Sequence, residues 1–330
     1  MAQKLRLGIV GVGGVAQAHF NTLGKNPDVE FSAVCDIRGD AAQETAAEHG
    51  GQVFTSAKEM FDAVELDAAW ICLPPFAHGE AEFAAIEHKV PFFVEKPINK
   101  DLAQATEIAA AATKARLLTS AGYMNRYRAG INQLRDALAK DPAILVMGGW
   151  IGGEPHGDAP IIRWWVRKDK SGGQFVEQVT HTVDLVRYLC GEPAEVCAFA
   201  VTGRVQGVPN YSLDDAVGAT IKFRAGAVAQ LHSCCASNAK GGVTLSVYAN
   251  NVAGELGGWE HSMTIFRAGQ EPKQIAGEGN IFEIEQQAFV KAVQTGNPSP
   301  IRCTYADALE TLRLTLAVNE SIETGGVVVL

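Results

Sequence analysis

The sequence has few basic residues and no long apolar run, and these two absences exclude several classes of protein. Its 330 residues include 28 Lys and Arg against 37 Asp and Glu, a formal net charge of −9. A net-acidic chain repels the phosphate backbone of nucleic acids and anionic lipid surfaces, so binding to either would need a concentrated basic patch. No apolar run approaches the roughly 20 residues that a membrane-spanning helix needs. We therefore expect neither nucleic acid nor a membrane as a partner.

Disulfide and metal-binding patterns are also missing. The seven cysteines are scattered without C-x-x-C spacing, and their number is odd. This usage suits a reducing compartment better than a disulfide framework. The N-terminal residues lack the apolar stretch and cleavage site of a signal peptide. The sequence thus predicts a cytoplasmic protein without a metal site.

Over its first third, the sequence alternates short β-rich runs with helical stretches. Strands are predicted at residues 5–10, 31–35, 68–73, 92–94 and 117–120. Helices are predicted between them, at residues 16–23, 41–49, 77–87 and 102–114. This βαβα order predicts a parallel sheet with helices on both faces.

After about Gly122 the order of elements changes. A helix at 131–139 and a strand at 143–150 precede an irregular stretch at 151–173, and one continuous helix is predicted at 174–189. Further strands are predicted at residues 196–202, 216–223, 227–234, 243–248 and 263–266, and closing helices at 281–294 and 305–323. Strands that follow one another without helices indicate a largely antiparallel sheet. The predicted fold is α/β, with a parallel-sheet domain at 1–122 and an α+β domain at 123–330.

A glycine-rich turn follows the first predicted strand. The motif Gly-Val-Gly-Gly-Val-Ala begins at Gly11 and has the form G-x-G-x-x-A between a strand and a helix. Gly11 permits a tight turn, Gly13 lets a pyrophosphate approach the backbone, and Ala16 allows close packing of helix on strand. Gly14 and Val15 open the helix, whose amide groups and partial positive charge favour an anion. The alternative interpretation is a tight turn that holds no ligand.

Asp36 stands at the end of the second predicted strand, twenty residues after Ala16. A carboxylate at this position can accept hydrogen bonds from the ribose hydroxyls of adenosine. It favours NAD over NADP, because a carboxylate that faces a 2′-phosphate makes a like-charge contact. Arg38 could offset part of that repulsion or could be only a solvated cation of the loop. NAD is therefore the expected cofactor, with NADP as the alternative.

The helix predicted at residues 174–189 carries a polar stripe. At 100° per residue, Glu177, His181, Asp184 and Tyr188 fall on the side opposite its apolar residues. Carboxylates four residues before and three residues after His181 are at spacings that bring side chains together on a helix. A histidine in this setting can act as a general base for a hydroxyl proton. The alternative is the solvent-facing side of an ordinary amphipathic helix.

Other candidate residues follow the ends of predicted strands. Glu95 and Lys96 precede Pro97 just after the strand at 92–94. Ligands of open α/β sheets lie beyond the carboxyl ends of the strands, where Lys96 could donate to a substrate hydroxyl and stabilise alkoxide charge. The alternative is an exposed lysine before a turn proline.

Two further groups of residues are weaker candidates. Pro74 and His78 follow the strand at 68–73, although His78 could be only a helix-terminal residue. Arg163, Trp164 and Trp165 lie in the irregular stretch before the polar helix. A guanidinium and aromatic planes suit a polyhydroxylated ligand, but both tryptophans could equally belong to the core.

Together these elements resemble the glucose–fructose oxidoreductase, inositol dehydrogenase and rhizopine-catabolism (Gfo/Idh/MocA) family. The resemblance covers essentially the whole chain, and its most specific parts are Glu-Lys-Pro at 95–97 and Glu-x-x-x-His-x-x-Asp at 177–184. It also includes Gly-Tyr-Met-Asn-Arg-Tyr at 122–127 and the glycine pair at 172–173. The resemblance implies a Rossmann domain followed by an open-faced sheet domain through which members oligomerise. We therefore expect a homodimer or homotetramer.

The resemblance also implies roles for individual residues. Lys96 and His181 match the family's catalytic lysine and histidine, and Glu177 stands where the family most often has an aspartate. Val179 stands where many members have glycine, so the pocket should differ from that of inositol dehydrogenase. The nicotinamide is expected near Pro74, His78, Glu95 and Lys96. The residues expected to bind the substrate are Lys96, Tyr123, Asn125, Arg163, Trp164, Trp165, Glu177 and His181.

The expected activity is hydride transfer between NAD(P) and a secondary hydroxyl or ketone of a sugar, cyclitol or sugar derivative. One alternative is a glycoside-cleaving enzyme that retains NAD, oxidises the sugar transiently, and uses the same residues. The other is a sensor that binds its ligands without turnover. Lys96, His181 and an acid at position 177 argue against a sensor, because a sensor needs no proton-transfer groups.

Overall fold

A computed structural model describes residues 4–157, 159–258 and 260–330. The chain divides into two compact units, one made of the residues up to Met124 with Asn280–Leu309 and the other of Asn125–Gly279 with Glu310–Leu330. The boundary expected after residue 122 lies two residues before the end of the first segment. Residues 280–309, which the sequence analysis assigned to the second domain, belong to the first unit.

The first unit is built on a parallel sheet of six strands in the order β3-β2-β1-β4-β5-β6. Its strands are β1 (Leu5–Val10), β2 (Val29–Cys35), β3 (Gln52–Phe54), β4 (Ala68–Ile71), β5 (Phe92–Val94) and β6 (Thr119–Ala121). Its helices are α1 (Gly14–Leu23), α2 (Gly39–His49), α3 (Ala57–Ala63), α4 (Glu80–Glu87), α5 (Leu102–Lys114) and, from the later segment, α11 (Ile281–Thr295). The strand order changes direction at β1, and ligands of such sheets bind beyond the carboxyl end of the strands at this point.

Most elements of this unit agree with the sequence prediction, and the parallel sheet is confirmed. The prediction missed both β3 and α3. For β3 the reason is that the strand is only three residues long and that its Gln52 and Val53 are exposed. The helix predicted at 77–87 begins only at Glu80. A 3₁₀ turn, Pro75–Ala77, precedes it, and Gly79 between them has a φ of +126° that an α-helix cannot include.

Aromatic packing explains why α11 belongs to the first unit. Trp70 of β4, Phe93 of β5 and Phe289 of α11 are all completely buried. The ring of Trp70 lies 5.9 Å from that of Phe93 and 5.3 Å, edge to face, from that of Phe289. Such aromatic pairs contribute about 0.5–1.5 kcal/mol each beyond the burial of their area. The apolar face of α11 is therefore part of the core under this sheet.

The second unit is built on a nine-stranded sheet in the order β14-β13-β12-β11-β7-β10-β9-β8-β15. Its strands are β7 (Leu145–Ile151), β8 (Pro193–Val201), β9 (Ala216–Phe223), β10 (Val228–Cys234), β11 (Gly242–Tyr248), β12 (Val252–Gly257), β13 (Ser262–Arg267), β14 (Lys273–Ile275) and β15 (Val328–Val329). Its helices are α6 (Ala129–Leu138), α7 (Ile162–Trp165), α8 (Lys168–Ser171), α9 (Gln174–Glu177), α10 (Thr180–Cys190) and the larger part of α12 (Tyr305–Thr324). Every neighbouring pair is antiparallel except β7 and β10, which confirms the largely antiparallel sheet.

One face of this sheet is buried and the other is open. Side chains alternate along β9, and Val217, Ala219, Ile221 and Phe223 point into a core shared with α6 and α10. The opposite face carries large apolar side chains, and Phe199 is 72% exposed. Exposed apolar residues of this open face include Met147, Phe199, Val201 and Tyr248.

The prediction of one continuous helix at residues 174–189 is wrong. The structure has two helices, α9 and α10, separated by Gln178 and Val179. The Val179 N–H donates to the carbonyl of Gln174 at 2.9 Å, five residues back rather than four. This π-type bond inserts one residue into the turn, and such bulges are frequent at functional sites. Glu177 and His181 therefore do not lie on one regular helical face.

Candidate active site

The turn between β1 and α1 is formed by glycines for two different reasons. Gly11 has a φ of +88°, and a Cβ at this position would collide with the carbonyl oxygen of Cys72. Packing within the chain therefore requires a glycine there. A Cβ on Gly13 or Gly14 would meet no atom within 4 Å. The backbone at these two residues faces open space, which fits a ligand that approaches the main chain closely.

The first turn of α1 lies at this open surface. Gly13 is the N-cap residue, and no side chain of the described residues caps the helix. Val15 at the start of the helix is partly exposed, whereas Ala16 is completely buried against the sheet. A helix N-terminus carries unsatisfied amide donors and a partial positive charge, which together favour an anion such as a pyrophosphate.

Asp36 is held rigidly at the end of β2. Its Oδ2 accepts a hydrogen bond from the backbone N–H of Val12 at 3.0 Å, and its Oδ1 accepts one from the N–H of Arg38 at 2.9 Å. Burial acts to raise the pKa of Asp36, but the hydrogen bonds from Arg38 and Val12 outweigh it and hold this pKa below the usual range. The carboxylate is therefore ionised at neutral pH beside the glycine turn.

The residues that follow Asp36 frame this site. The guanidinium of Arg38 is more than half exposed and donates from Nε to Asp36 Oδ1 at 3.2 Å, so Arg38 is both solvated and paired. Ile37 is 90% exposed, an unusual position for a large apolar side chain. The sequence analysis missed Ile37, although its position directly after Asp36 was the available signal.

Glu95 lies buried at the end of β5 with both carboxylate oxygens engaged. Oε1 lies 2.7 Å from Nε2 of His19, and Oε2 accepts a hydrogen bond from the backbone N–H of Lys96 at 3.1 Å. Lys96 itself is half-buried. The sequence analysis missed His19. The available signal was a polar residue among the buried residues of α1, in the apolar repeat that includes Phe20.

His78 and Glu82 form a second buried pair in the first unit. Nδ1 of His78 lies 2.5 Å from Glu82 Oε1, and Glu82 Oε2 accepts a hydrogen bond from the N–H of Gly79 at 2.7 Å. Both side chains are completely buried. His78 is thus not only a helix-terminal residue. Pro74 lies at the start of the 3₁₀ turn before it.

In the second unit, Asp184 of α10 is held by side chains of other elements. Arg126 donates from Nε and Nη2 to its two oxygens, and the Thr311 hydroxyl donates to Oδ1 at 3.0 Å. Glu177 is also buried, whereas His181 is half-buried. The interpretation of these residues as a solvent-facing stripe is therefore wrong.

The residues expected to bind the substrate lie in several different settings. Tyr123 is completely buried in the first unit. Asn125 is buried in the second, where its Oδ1 accepts from Arg128 Nε at 2.7 Å and its Nδ2 lies 3.2 Å from Nε2 of His261. Arg163 is exposed on α7. The neighbouring residues Trp164 and Trp165 are half-buried.

The described residues provide neither of two other kinds of site. Over residues 4–157, 159–258 and 260–330, no three His, Cys, Asp or Glu side chains are grouped so that they could hold a metal ion. No helix in these ranges has the length and apolar character that are needed to cross a bilayer.

Comparison with known families gives two matches. A family model described as an oxidoreductase family with an NAD-binding Rossmann fold matches residues 5–123. A second, described as the GFO/IDH/MocA C-terminal domain, matches residues 150–257. The two models describe the two parts of one family and together match more than half of the chain.

Individual relatives match over nearly the full length. The chain is 25% identical to the uncharacterised oxidoreductase YrbE of Bacillus subtilis (strain 168), with 98% of this chain and 96% of that protein covered. It is 24% identical to the scyllo-inositol 2-dehydrogenase (NAD(+)) of the same organism, with the same coverage. Among solved structures, the WlbA dehydrogenase of Bordetella pertussis in complex with NADH and UDP-GlcNAcA has the same fold, with a TM-score of 0.84, 19% identity and 99% of each chain covered.

Proposed function

Because the chain belongs to the GFO/IDH/MocA oxidoreductase family, we propose that it transfers a hydride between NAD and a secondary hydroxyl or ketone of a sugar, cyclitol or sugar derivative. The observation that carries the proposal is the open backbone at Gly13 and Gly14, at the uncapped start of α1 and beside the ionised Asp36. The names of the relatives supply the substrate class, since one acts on scyllo-inositol and another was crystallised with a sugar nucleotide.

The residues of the first unit fit the proposed cofactor. The amide groups at the start of α1 bind the pyrophosphate, and Asp36 accepts hydrogen bonds from the ribose hydroxyls. Ile37, exposed beside Asp36, offers an apolar surface for the adenine. When bound, NAD supplies the nicotinamide ring that accepts or returns the hydride. Pro74 and His78 belong, in this proposal, to the wall of the nicotinamide site.

Two side chains are proposed for the chemistry at the hydroxyl. The imidazole of His181 takes the hydroxyl proton during oxidation and returns it during reduction. Lys96 donates to the same oxygen and stabilises its developing negative charge. Glu177 or Asp184 orients His181, and the carboxylate of Asp184 is itself held by Arg126 and Thr311.

The remaining polar and aromatic candidates are proposed to select the substrate. Arg163 is exposed and can donate up to five hydrogen bonds to hydroxyl or carboxylate oxygens. Trp164 and Trp165 supply aromatic planes for the apolar face of a sugar ring. Tyr123 and Asn125 are buried, so we assign them to the support of the site more than to direct contact.

The experiment that tests this function follows the near-ultraviolet absorbance of reduced nicotinamide. The purified protein is mixed with sugars, cyclitols, sugar acids and sugar nucleotides, each with NAD and with NADP. A rise in absorbance with one substrate and NAD supports the proposal and identifies the substrate class. Cleavage of a glycoside without net NADH would instead support the enzyme that retains its cofactor. Failure to bind either cofactor would refute both.

We also propose that the chain forms a homodimer or homotetramer through the open face of its second sheet. Phe199 and Val201 on β8 and Met147 on β7 are exposed apolar residues of the kind that protein interfaces bury. Light scattering of the eluting protein gives the mass of the assembly. Replacement of Phe199 by Lys should shift the assembly towards monomer, whereas a wild-type chain that is monomeric at all concentrations contradicts the proposal.

We place the enzyme in the cytoplasm. All seven cysteines are free thiols, which suits a reducing compartment. Fractionation of cells that produce the protein would test this placement.

A further inference from the structure

We propose that His19 is a positioning residue for hydride transfer, which fixes Lys96 through the carboxylate of Glu95. The inference depends on the catalytic role proposed for Lys96 above. His19 lies on α1, the helix of the glycine turn, and none of the roles assigned so far includes it.

The geometry is a chain of three hydrogen bonds within the first unit. Nε2 of Gln286, on α11, lies 2.6 Å from Nδ1 of His19. Nε2 of His19 lies 2.7 Å from Oε1 of Glu95, whose Oε2 accepts the backbone N–H of Lys96 at 3.1 Å. Because the amide nitrogen of Gln286 is a donor, Nδ1 of His19 accepts and Nε2 carries the proton that is donated to Glu95. The first two bonds are therefore directed from α11 towards Glu95, and the third is donated by Lys96 to the other oxygen of the same carboxylate.

The Glu95 carboxylate and its His19 partner are closely surrounded. A Cβ on Gly122 would lie 2.8 Å from Glu95 Oε2 and 3.0 Å from Oε1, so the carboxylate fills the space that a larger residue would need. The ring of His19 packs edge-on against Phe93 at 5.2 Å and Phe282 at 6.1 Å. The side chain of His19 is completely buried, and that of Glu95 nearly so.

Packing alone does not account for this pair. Taking an imidazole and a carboxylate out of water is unfavourable, and apolar side chains of similar volume can replace such buried pairs at no loss of stability. The pair instead fixes the orientation of the Glu95 carboxylate, because His19 of α1 binds one of its oxygens and the backbone N–H of Lys96 binds the other. The backbone of Lys96, from which its side chain extends, is thereby held in place. A displacement of a reacting group by about 1 Å can lower a rate by about 10²-fold.

The first test compares variants of two histidines of the same unit, the buried His19 and the half-buried His49. His19→Leu removes the donor to Glu95, whereas the matched control His49→Leu removes an imidazole that stacks on Phe20 and is not bonded to Glu95. We expect His19→Leu to lower kcat by about 10²-fold, and His49→Leu to lower it by less than about threefold. The Kd for NADH should stay nearly unchanged in both. His19→Gln, whose amide can still donate to Glu95, should recover most of the loss.

The second test asks whether His19 acts through Lys96. In the Lys96→Met background the change His19→Leu should have no further effect on kcat, because the group that it positions is gone. Losses that multiply in the double variant, or a wild-type kcat in His19→Leu, overturn the proposal.

The third test does not depend on catalysis. In ¹H–¹⁵N spectra of the full-length protein, His19→Leu or His19→Gln should move the Lys96 amide resonance, and the Leu variant should speed its hydrogen exchange by about tenfold or more. His49→Leu should do neither. An unmoved Lys96 amide in a folded His19 variant refutes the positioning, whereas a moved amide in an enzyme that oxidises no substrate refutes only the function proposed above.

Discussion

Arg126 and Asp184 form a two-pronged ion pair in the second unit, with Nε to Oδ2 at 2.8 Å and Nη2 to Oδ1 at 2.7 Å. Both side chains are almost completely buried. The pair joins the segment just before α6 to α10, the helix that carries His181. Removal of one member would leave the other charge buried without compensation, and such a charge is far more unfavourable than the intact pair is favourable.

Arg126→Met should therefore lower the free energy of unfolding by about 3–5 kcal/mol. The double variant Arg126→Met with Asp184→Leu should recover much of this loss, because no charge is left unpaired. Urea unfolding followed by fluorescence measures both. The control is Arg313→Met, which breaks an ion pair with Glu310 at the surface and should change stability by less than about 1 kcal/mol. Equal losses of unfolding free energy in Arg126→Met and Arg313→Met would contradict the role of the buried pair.

Replacement of Gly13 should separate cofactor binding from folding. Gly13 has a φ of −68° and a Cβ there meets nothing within 4 Å, so Gly13→Val should keep the fold and weaken NADH binding by about tenfold or more. Gly11→Val should destabilise the protein itself, because of its positive φ and the carbonyl of Cys72. Fluorescence titration with NADH and thermal unfolding report the two effects. An unchanged Kd for NADH in Gly13→Val would show that no pyrophosphate lies against this turn.

The choice between NAD and NADP should depend on Asp36. Asp36→Ser removes the carboxylate that binds the ribose and leaves Arg38 free to meet a 2′-phosphate. We expect NADH to bind about tenfold more weakly and NADPH about tenfold more tightly, about 1.4 kcal/mol each. Asp40→Ser, at an exposed residue of α2, is the control and should change neither Kd. A preference for NADPH in the wild-type protein would reverse the cofactor assignment.

The ionisation of Asp36 should be tunable through Arg38. Since hydrogen bonds from Arg38 and Val12 hold the folded-state pKa below its usual value, the ionised group stabilises the fold above the unfolded pKa of about 3.9. This contribution is lost as the pH falls through the lower, folded-state pKa. Arg38→Gln should raise the pKa of Asp36 and move that loss to higher pH. Carboxyl ¹³C titration measures it, and the surface variant Lys58→Gln should leave the titration of Asp36 unmoved.

His181→Ala should lower turnover by about 10²–10⁴-fold with NADH binding intact. The matched control is His156→Ala, since His156 is an exposed histidine of the same unit, paired with Glu154. Steady-state rates measure the turnover of the two variants, and titrations with NADH measure their cofactor binding. Wild-type turnover in His181→Ala would remove this residue from the mechanism.

The sequence predicted the elements well where hydrophobic periodicity or a short motif determines them. The parallel strands, the glycine turn and the strand at 216–223 belong to this group, since each depends on neighbours within a few residues. The break at Gln178 and Val179 does not, because an i→i−5 hydrogen bond leaves the apolar pattern almost unchanged. Its neighbours Phe175 and Val183 are buried just as an unbroken helix would have them.

Pairing between residues that are distant in the chain was the other feature that the sequence could not predict. Glu95 and Asp184 were recognised as parts of motifs, but their partners His19 and Arg126 lie 76 and 58 residues away in the chain. No local pattern shows that a carboxylate is already occupied by such a partner. The sequence could therefore name the polar residues of the candidate site, but not which carboxylates are held and which orient another group.

The place of α11 in the first unit has a consequence for how the protein is made. Phe289 completes the cluster around Trp70, yet it leaves the ribosome more than 200 residues later. At about 5–20 residues per second, the nascent Rossmann sheet waits about 10–40 s for its last helix. During that interval the surface beneath Trp70 and Phe93 lacks its cover. A chain that ends before residue 280 would keep the cofactor motif but leave the core behind it without its last helix.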